Sequence, residues 1–344
     1  MRKYYLPLGL IGLFIVLTGA SWLGFFSDYI QTVLMYIGIN AILTVSLNLV
    51  NGYMGEFSVG HAGFMAVGAY IASVLTTRVI PHFVLGTPLV PSGFMYTFDV
   101  AAWAKGPAVH LVFPLVLLMG GLGAALAGLL VAIPSFRIRG DYLAIITLAV
   151  NYIVKSAFEN TEALGGSRGL IGIPKLTSVP WVFVWTVISL WGIRNFIYST
   201  YGKGVMAIRE DEIAAEFMTV DTRRSKILAF CISSFFAGIG GGLLAHLLLY
   251  INPATFSIIK STEVLVMVYL GGMSSVSGSL LGAIAYIGLS EALRPLKLWK
   301  WVVISLILIL LMLFRREGIM GFKEFRFLAP KAPKREVEYA PASD

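Results

Sequence analysis

Apolar windows of roughly 20 residues, the length that crosses a bilayer as a helix, recur along almost the whole of this chain. They lie near 6–26, 30–50, 62–80, 111–133, 141–158, 181–198, 226–250 and 300–314. A chain built this way has no choice but to satisfy its backbone inside each segment, which in lipid means helices. Composition agrees. The 344 residues are 58% hydrophobic and 13% charged, with a mean hydropathy of +0.83, whereas a soluble domain is about 25% charged. The pattern predicts an all-α polytopic membrane protein with about eight spans in one transmembrane domain over 1–326. The segment 327–344, with Pro330, Pro333 and Pro341 among charges, reads as a flexible tail.

The net charge of +8 has a plain cause in a membrane protein, because Lys and Arg gather on cytoplasmic loops. The basic residues lie beside spans, so no nucleic-acid partner is expected and the lipid bilayer is the surface they serve. The lone Cys231 and four scattered histidines exclude a disulfide framework and a cysteine-based metal site. With Arg2 and Lys3 of a retained first helix in the cytoplasm, Arg137, Arg139, Lys203, Arg209, Arg223, Arg224 and Lys226 all fall inside. The C-terminal run Arg315-Arg316 belongs there too. That parity holds only if 262–292 makes no net crossing. Its middle reads Gly271-Gly272-Met273-Ser274-Ser275-Val276-Ser277-Gly278, and arms of about a dozen residues fall short of the ~30 Å hydrocarbon thickness. The expectation is two half-helices around a turn buried in protein.

A second Gly/Ser interruption, residues 51–63, separates 30–50 from 62–80. Paired interruptions in the two halves of a chain are the sequence pointer to a transport path, here placing Gly55, Glu56, Ser58, His61, Gly271, Gly272 and Ser274 on it. The plainer reading of Glu56 and His61 is a hydrated or helix-capping pair at the cytoplasmic rim. Gly238 and Gly242, at G-x-x-x-G spacing inside a span, read as close helix packing. Gly165-Gly166-Ser167-Arg168-Gly169 reads first as a turn, second as an anion nest.

The longest charged segment between spans is 201–222. Ala207, Asp211, Ala214, Ala215 and Met218 share one face at helical spacing. Glu212 and Glu216, one helical turn apart, repel by a few tenths of a kcal/mol unless a basic partner intervenes. A structured polar segment on one side of an otherwise lipid-soluble chain reads as a docking site for a soluble partner. Against that stands a solvated amphipathic connector. Enzymatic signals are thin: there is no G-x-x-x-x-G-K-[ST], and no G-x-S-x-G elbow or paired-carboxylate cluster stands out. ATP hydrolysis is therefore not expected of this chain. A membrane-embedded enzyme using Glu56 and His61 as acid and base is one rival, and a passive channel that needs no docking segment is another.

Four motifs in order carry a resemblance. They are the run from Asn51 to Tyr70, Arg137-Ile138-Arg139-Gly140-Asp141-Tyr142, Gly165-Gly166-Ser167-Arg168-Gly169-Leu170, and the run from Tyr201 to Glu216. Over about 30–315 the chain resembles the LivM-type permeases of branched-chain amino acid ABC importers. The resemblance implies a prokaryotic cytoplasmic membrane and a cytoplasmic C-terminus. It implies a second, LivH-like permease, two cytoplasmic ATPases that hold ATP and magnesium, and an extracytoplasmic binding protein; no cofactor falls to this chain. It implies that Arg209, Glu210, Asp211, Glu212, Ala214, Ala215 and Glu216 form the segment that couples to the ATPases. Related permeases carry urea or short amides. The chain departs from the family pattern at Thr219, where glycine is usual, at Glu56, where glutamine is common, and at Arg316, where proline is common.

Overall fold

The computed structural model describes residues 25–80, 109–137, 142–297 and 299–314, with a few single positions before 20 and at 318–321 and 324. The expected first span at 6–26, the loop 81–110, Arg316 and the tail 327–344 lie wholly or largely outside the described residues. Eleven α-helices, six short π or 3-10 segments and one pair of two-residue strands make up the described part. In chain order the helices are α1 Asp28–Asn48, α2 His61–Val74, α3 Val109–Ser135, α4 Tyr142–Glu159, α5 Val179–Tyr198 and α6 Thr200–Glu210. They continue with α7 Glu212–Phe217, α8 Thr222–Leu248, α9 Ile258–Gly271, α10 Val276–Ala292 and α11 Trp299–Phe314. Five segments among the described residues are long and apolar enough to cross a membrane, or up to seven if each of two sharply bent helix pairs is one span. The count of about eight from hydropathy therefore exceeds what the described helices supply, because α11 is 16 residues long and the first window is not described.

Long apolar helices have little hydrophobic reason to associate in lipid, so the fold depends on close approach of small residues. α8 provides it. A side chain at Gly68 on α2 would collide with the backbone of Gly238, and one at Gly241 with the carbonyl of Met65. On its other flank Gly238 lies against Gly120 and Ala124 of α3. The G-x-x-x-G spacing thus does what was expected of it, and α2, α3 and α8 form the tight centre. Buried polar side chains pin this centre. His246 on α8 meets Thr76 at 3.0 Å, and Ser233 donates to the Ser46 carbonyl at 2.6 Å.

α1 ends in a π-helical turn, Leu49–Tyr53, followed by irregular chain to Gly60. α9 and α10 are the two arms of the second interruption, bent by 118° across residues 272–275. At 14 and 17 residues they rise about 21 and 26 Å. Gly272 and Ser274 adopt positive φ at the tip, and Ser275 is fully buried there. This is the expected pair of half-helices around a protein-buried turn. At the far end of the molecule, strand β1 (Leu170–Ile171) pairs antiparallel with β2 (Tyr250–Ile251). Gly165, Gly166 and Gly169 all have positive φ in the loop before β1, whose Arg168 carbonyl accepts from Tyr250 Oη at 2.7 Å. The glycine cluster is a packed turn.

Candidate coupling site

Residues 199–221 fold by local chemistry. Ser199 caps α6 by accepting from Gly202 N at 3.2 Å. Asp211 then leaves helical space (φ −159, ψ 112) and caps α7, its Oδ1 accepting from Ile213 N at 2.9 Å and Ala214 N at 3.0 Å. Asp211 therefore does not share a continuous helical face with Ala207, Ala214, Ala215 and Met218. An Asp side chain satisfies the free N–H groups of a new helix better than it serves inside an old one. α7 closes in a Schellman turn: Val220 N donates to Ala215 O at 3.1 Å, and Thr219 N to Glu216 O at 3.0 Å. The left-handed residue of that turn is Thr219, at φ 64. The departure from glycine at this position leaves the exit turn intact, with a strained residue in it.

The two helices dock on both chain interruptions. Arg209 Nη1 donates to Ser274 Oγ at 2.6 Å and to the Gly52 carbonyl at 3.3 Å. Ser274 Oγ itself donates to Gly52 O at 2.8 Å. Asn48 bonds the second turn from the first: its Nδ2 donates to Ser275 O at 3.0 Å and Ser279 Oγ at 2.7 Å, and its Oδ1 accepts from Ser274 N at 3.1 Å. Gly55, at φ 79, leaves room for the Arg209 stem, which a side chain there would strike. The two interruptions, far apart in sequence, are thus one structure with Arg209 at its centre.

A second tie runs through α8. Lys226 Nζ lies 2.7 Å from Glu56 Oε1 and 2.9 Å from Glu212 Oε1, with its side chain 9% exposed. Thr222 donates to Glu216 at 3.1 Å. The basic group expected to relieve Glu212 is therefore supplied by the chain itself. A cavity of about 350 Å³ opens beside it, lined among others by Glu56, Arg137, Glu212, Glu216 and Lys226. Glu56 and His61 part company: Glu56 joins Lys226, while His61 is buried against Ser46 Oγ at 2.8 Å. No acid–base pair forms between them. Ser58 is tied locally, its N donating to Asn51 Oδ1 at 3.2 Å. Gly271 packs on the backbone of Gly278, and its carbonyl accepts from Met320 N at 3.0 Å.

Several working residues gave no sequence signal. Glu324 accepts from Ser277 Oγ at 2.7 Å, Ser277 N at 3.1 Å and Tyr53 Oη at 2.9 Å, capping α10 from the C-terminal segment. Asn48 falls inside an apolar window, and Lys226 reads in the sequence only as a cytoplasmic basic residue. The outer face of α7 presents Ile213, Phe217 and Met218, the last two 83% and 80% exposed, beside exposed Glu210 and Glu216. Alternating charge and bare aromatic surface at one end of the bundle is what a docking face looks like.

A polytopic helical bundle with paired half-helices, tied to a polar helical segment at one end, is the architecture of a membrane permease. Residues 29–314 match the family described as branched-chain amino acid transport system / permease component, and the chain belongs to that family, in its LivM type. It is 30% identical over 314 residues to the high-affinity branched-chain amino acid transport system permease protein LivM of Escherichia coli K12, covering 81% of this chain and 67% of the relative. It is 25% identical over 276 residues to the probable LivM of Methanocaldococcus jannaschii, 76% and 80% of the two chains. A shorter match, 29% over 141 residues, joins it to the probable LivH of the same organism, 40% and 41% of the two. No solved structure matches the chain.

Proposed function

We propose that this permease is one of two membrane subunits of an ATP-driven importer of branched-chain and similar hydrophobic amino acids. α6 and α7 are its coupling segment, with Glu210, Asp211, Glu212, Ala214 and Glu216 at the contact, while Arg209 and buried Ala215 hold the segment to the bundle. Two cytoplasmic ATPases carry the ATP and magnesium, an external binding protein delivers substrate, and a LivH-like permease completes the path. The charged end and the C-terminus face the cytoplasm of a prokaryotic inner membrane. The observation that carries the reading is the bond set of Arg209, which ties the polar segment to both chain interruptions at once. A partner that moves α6 and α7 moves Gly52 and Ser274 with them. The path runs along the two interruptions, past Gly55, Glu56, Gly271, Gly272 and Ser274, with Ser58 and His61 bracing its wall from inside the bundle. Its state alternates as the tip of α9 and α10 shifts against the end of α1.

The test is co-purification of the chain with its ATPases, followed by uptake of leucine, isoleucine, valine and urea. Preferred uptake of urea would favour the amide-permease reading. Phe217→Asp on the exposed face of α7 should abolish ATP-driven uptake while membrane insertion stays normal. Unchanged uptake in Phe217→Asp would mean that no ATPase docks there, as the passive-channel reading requires.

A further inference from the structure

Lys260 and Glu263 form an ion pair on α9, Nζ to Oε2 at 3.0 Å. Its depth follows from α1. Lys260 Nζ also donates to Asn40 Oδ1 at 3.2 Å, and Asn40 lies about 18 Å along α1 from Asp28 at the rise of an α-helix. α8 agrees, since its Gly240 packs against Leu43 of α1. The pair therefore lies level with the inner part of α1, in the first two turns of α9. It also reaches the surface of this chain: the side chains are 16% and 22% exposed, and Ile259 and Thr262 beside them are exposed.

A charged pair at that depth is costly against lipid, and such groups face a water-filled path or another protein. An i,i+3 pair adds little to helix stability even in water, so stability is a poor reason for its presence. The surrounding groups are arranged for exchange. Asn40 is fixed by Nδ2 donating to the Tyr36 carbonyl at 2.8 Å, which aims Oδ1 at Lys260. Buried Tyr286 of α10 stands within electrostatic reach of Glu263. Ile259 and Val266 flank the pair on the same stripe of α9, apolar and at least partly exposed.

We propose that Lys260, Glu263 and Asn40 form a station for a zwitterionic amino acid, completed by the second permease. The proposal rests on the amino-acid import reading above and gives it a binding group. Lys260 leaves Glu263 and Asn40 to meet the substrate carboxylate, and those two oxygens accept from the substrate ammonium. Ile259 and Val266 take the aliphatic side chain. No charge is left unpaired in either state, so the station holds substrate without trapping it. Urea and neutral amides, which lack both charges, gain nothing from it.

The test uses cells lacking their own branched-chain uptake and carrying this chain with its partner subunits. Leucine and urea uptake are measured for wild type, Lys260→Met, Glu263→Gln and the exchanged pair Lys260→Glu with Glu263→Lys. Each single variant should assemble normally and raise KM for leucine by about 10- to 100-fold, the usual effect of removing a partner from a charged group. Any urea flux should be unchanged. The exchanged pair should keep assembly and leave leucine uptake depressed. Wild-type leucine kinetics in either single variant, restoration of uptake by the exchange, or loss of the partner permease from the neutral variants would each overturn the station. A wild-type transporter that carries no amino acid would instead overturn the import reading beneath it.

Discussion

Arg209 and Lys226 each tie together pieces of chain that are far apart in sequence. Arg209 reaches Ser274 and the Gly52 carbonyl through Nη1 while its Nε and Nη2 face Glu210, a spread of donors that a lysine ammonium does not reproduce. Arg209→Lys should retain assembly and lose part of the coupling, seen as more ATP hydrolysed per leucine imported. Lys226 is the sharper stability site. Lys226→Met leaves Glu56 and Glu212 facing each other without a cation. Breaking a buried pair costs about 3–5 kcal/mol, and the partial exposure of Glu212 reduces this to about 2 kcal/mol. Thermal unfolding in detergent should report that loss, and adding Glu56→Gln should recover part of it. A Lys226→Met protein of unchanged melting temperature would show that Lys226 is dispensable to this junction. In sequence, Lys226 read only as a basic residue at the start of a span, because nothing local says that Glu56, 170 positions earlier, lies beside it.

At the scale of elements, the exit of α7 carries the clearest strain. Thr219 holds a left-handed conformation that costs a β-branched residue roughly 1–2 kcal/mol and glycine almost nothing. Thr219→Gly should raise stability by about 1 kcal/mol and leave uptake unchanged, as checked by melting temperature and transport side by side. The same element shows how far sequence reaches. Ser199, Asp211 and Asp221 are all capping residue types and all cap helices here. The face shared by Ala207, Asp211 and Met218 was nevertheless an illusion of spacing, since periodicity does not reveal a residue that steps out of the helix. The break between α9 and α10 was legible because Gly271, Gly272, Ser274 and Ser275 interrupt an apolar run, and the chain bends there by 118°. That their tip would rest on Asn48 and Gly52 was not legible, being a contact across more than 220 residues. Packing at Gly238 belongs to this scale too. Gly238→Leu should prevent α8 from closing on Gly120 and Ala124 of α3 and remove folded protein from the membrane fraction, while the same change at open Gly288 should be tolerated.

For the molecule as a whole, the design separates two jobs. α2, α3 and α8, closed by small residues and buried hydrogen bonds, form a stiff centre. The ends of α1 and the α9–α10 tip form a second, polar-stitched unit, held by Asn48, Ser274 and Glu324 and gripped by α6. Hydropathy made the class of the chain evident, since no soluble fold absorbs so many apolar windows. Which windows cross and which bend depended on contacts that composition does not carry. The most direct measurement of the coupling claim is the ratio of leucine imported to ATP hydrolysed by the reconstituted transporter with Arg209→Ala. Assembly and ATP hydrolysis should persist while import falls at least about tenfold, as expected when a charged hydrogen-bonding group is removed. An unchanged ratio would mean that motion of α6 and α7 reaches the bundle by some route other than Gly52 and Ser274.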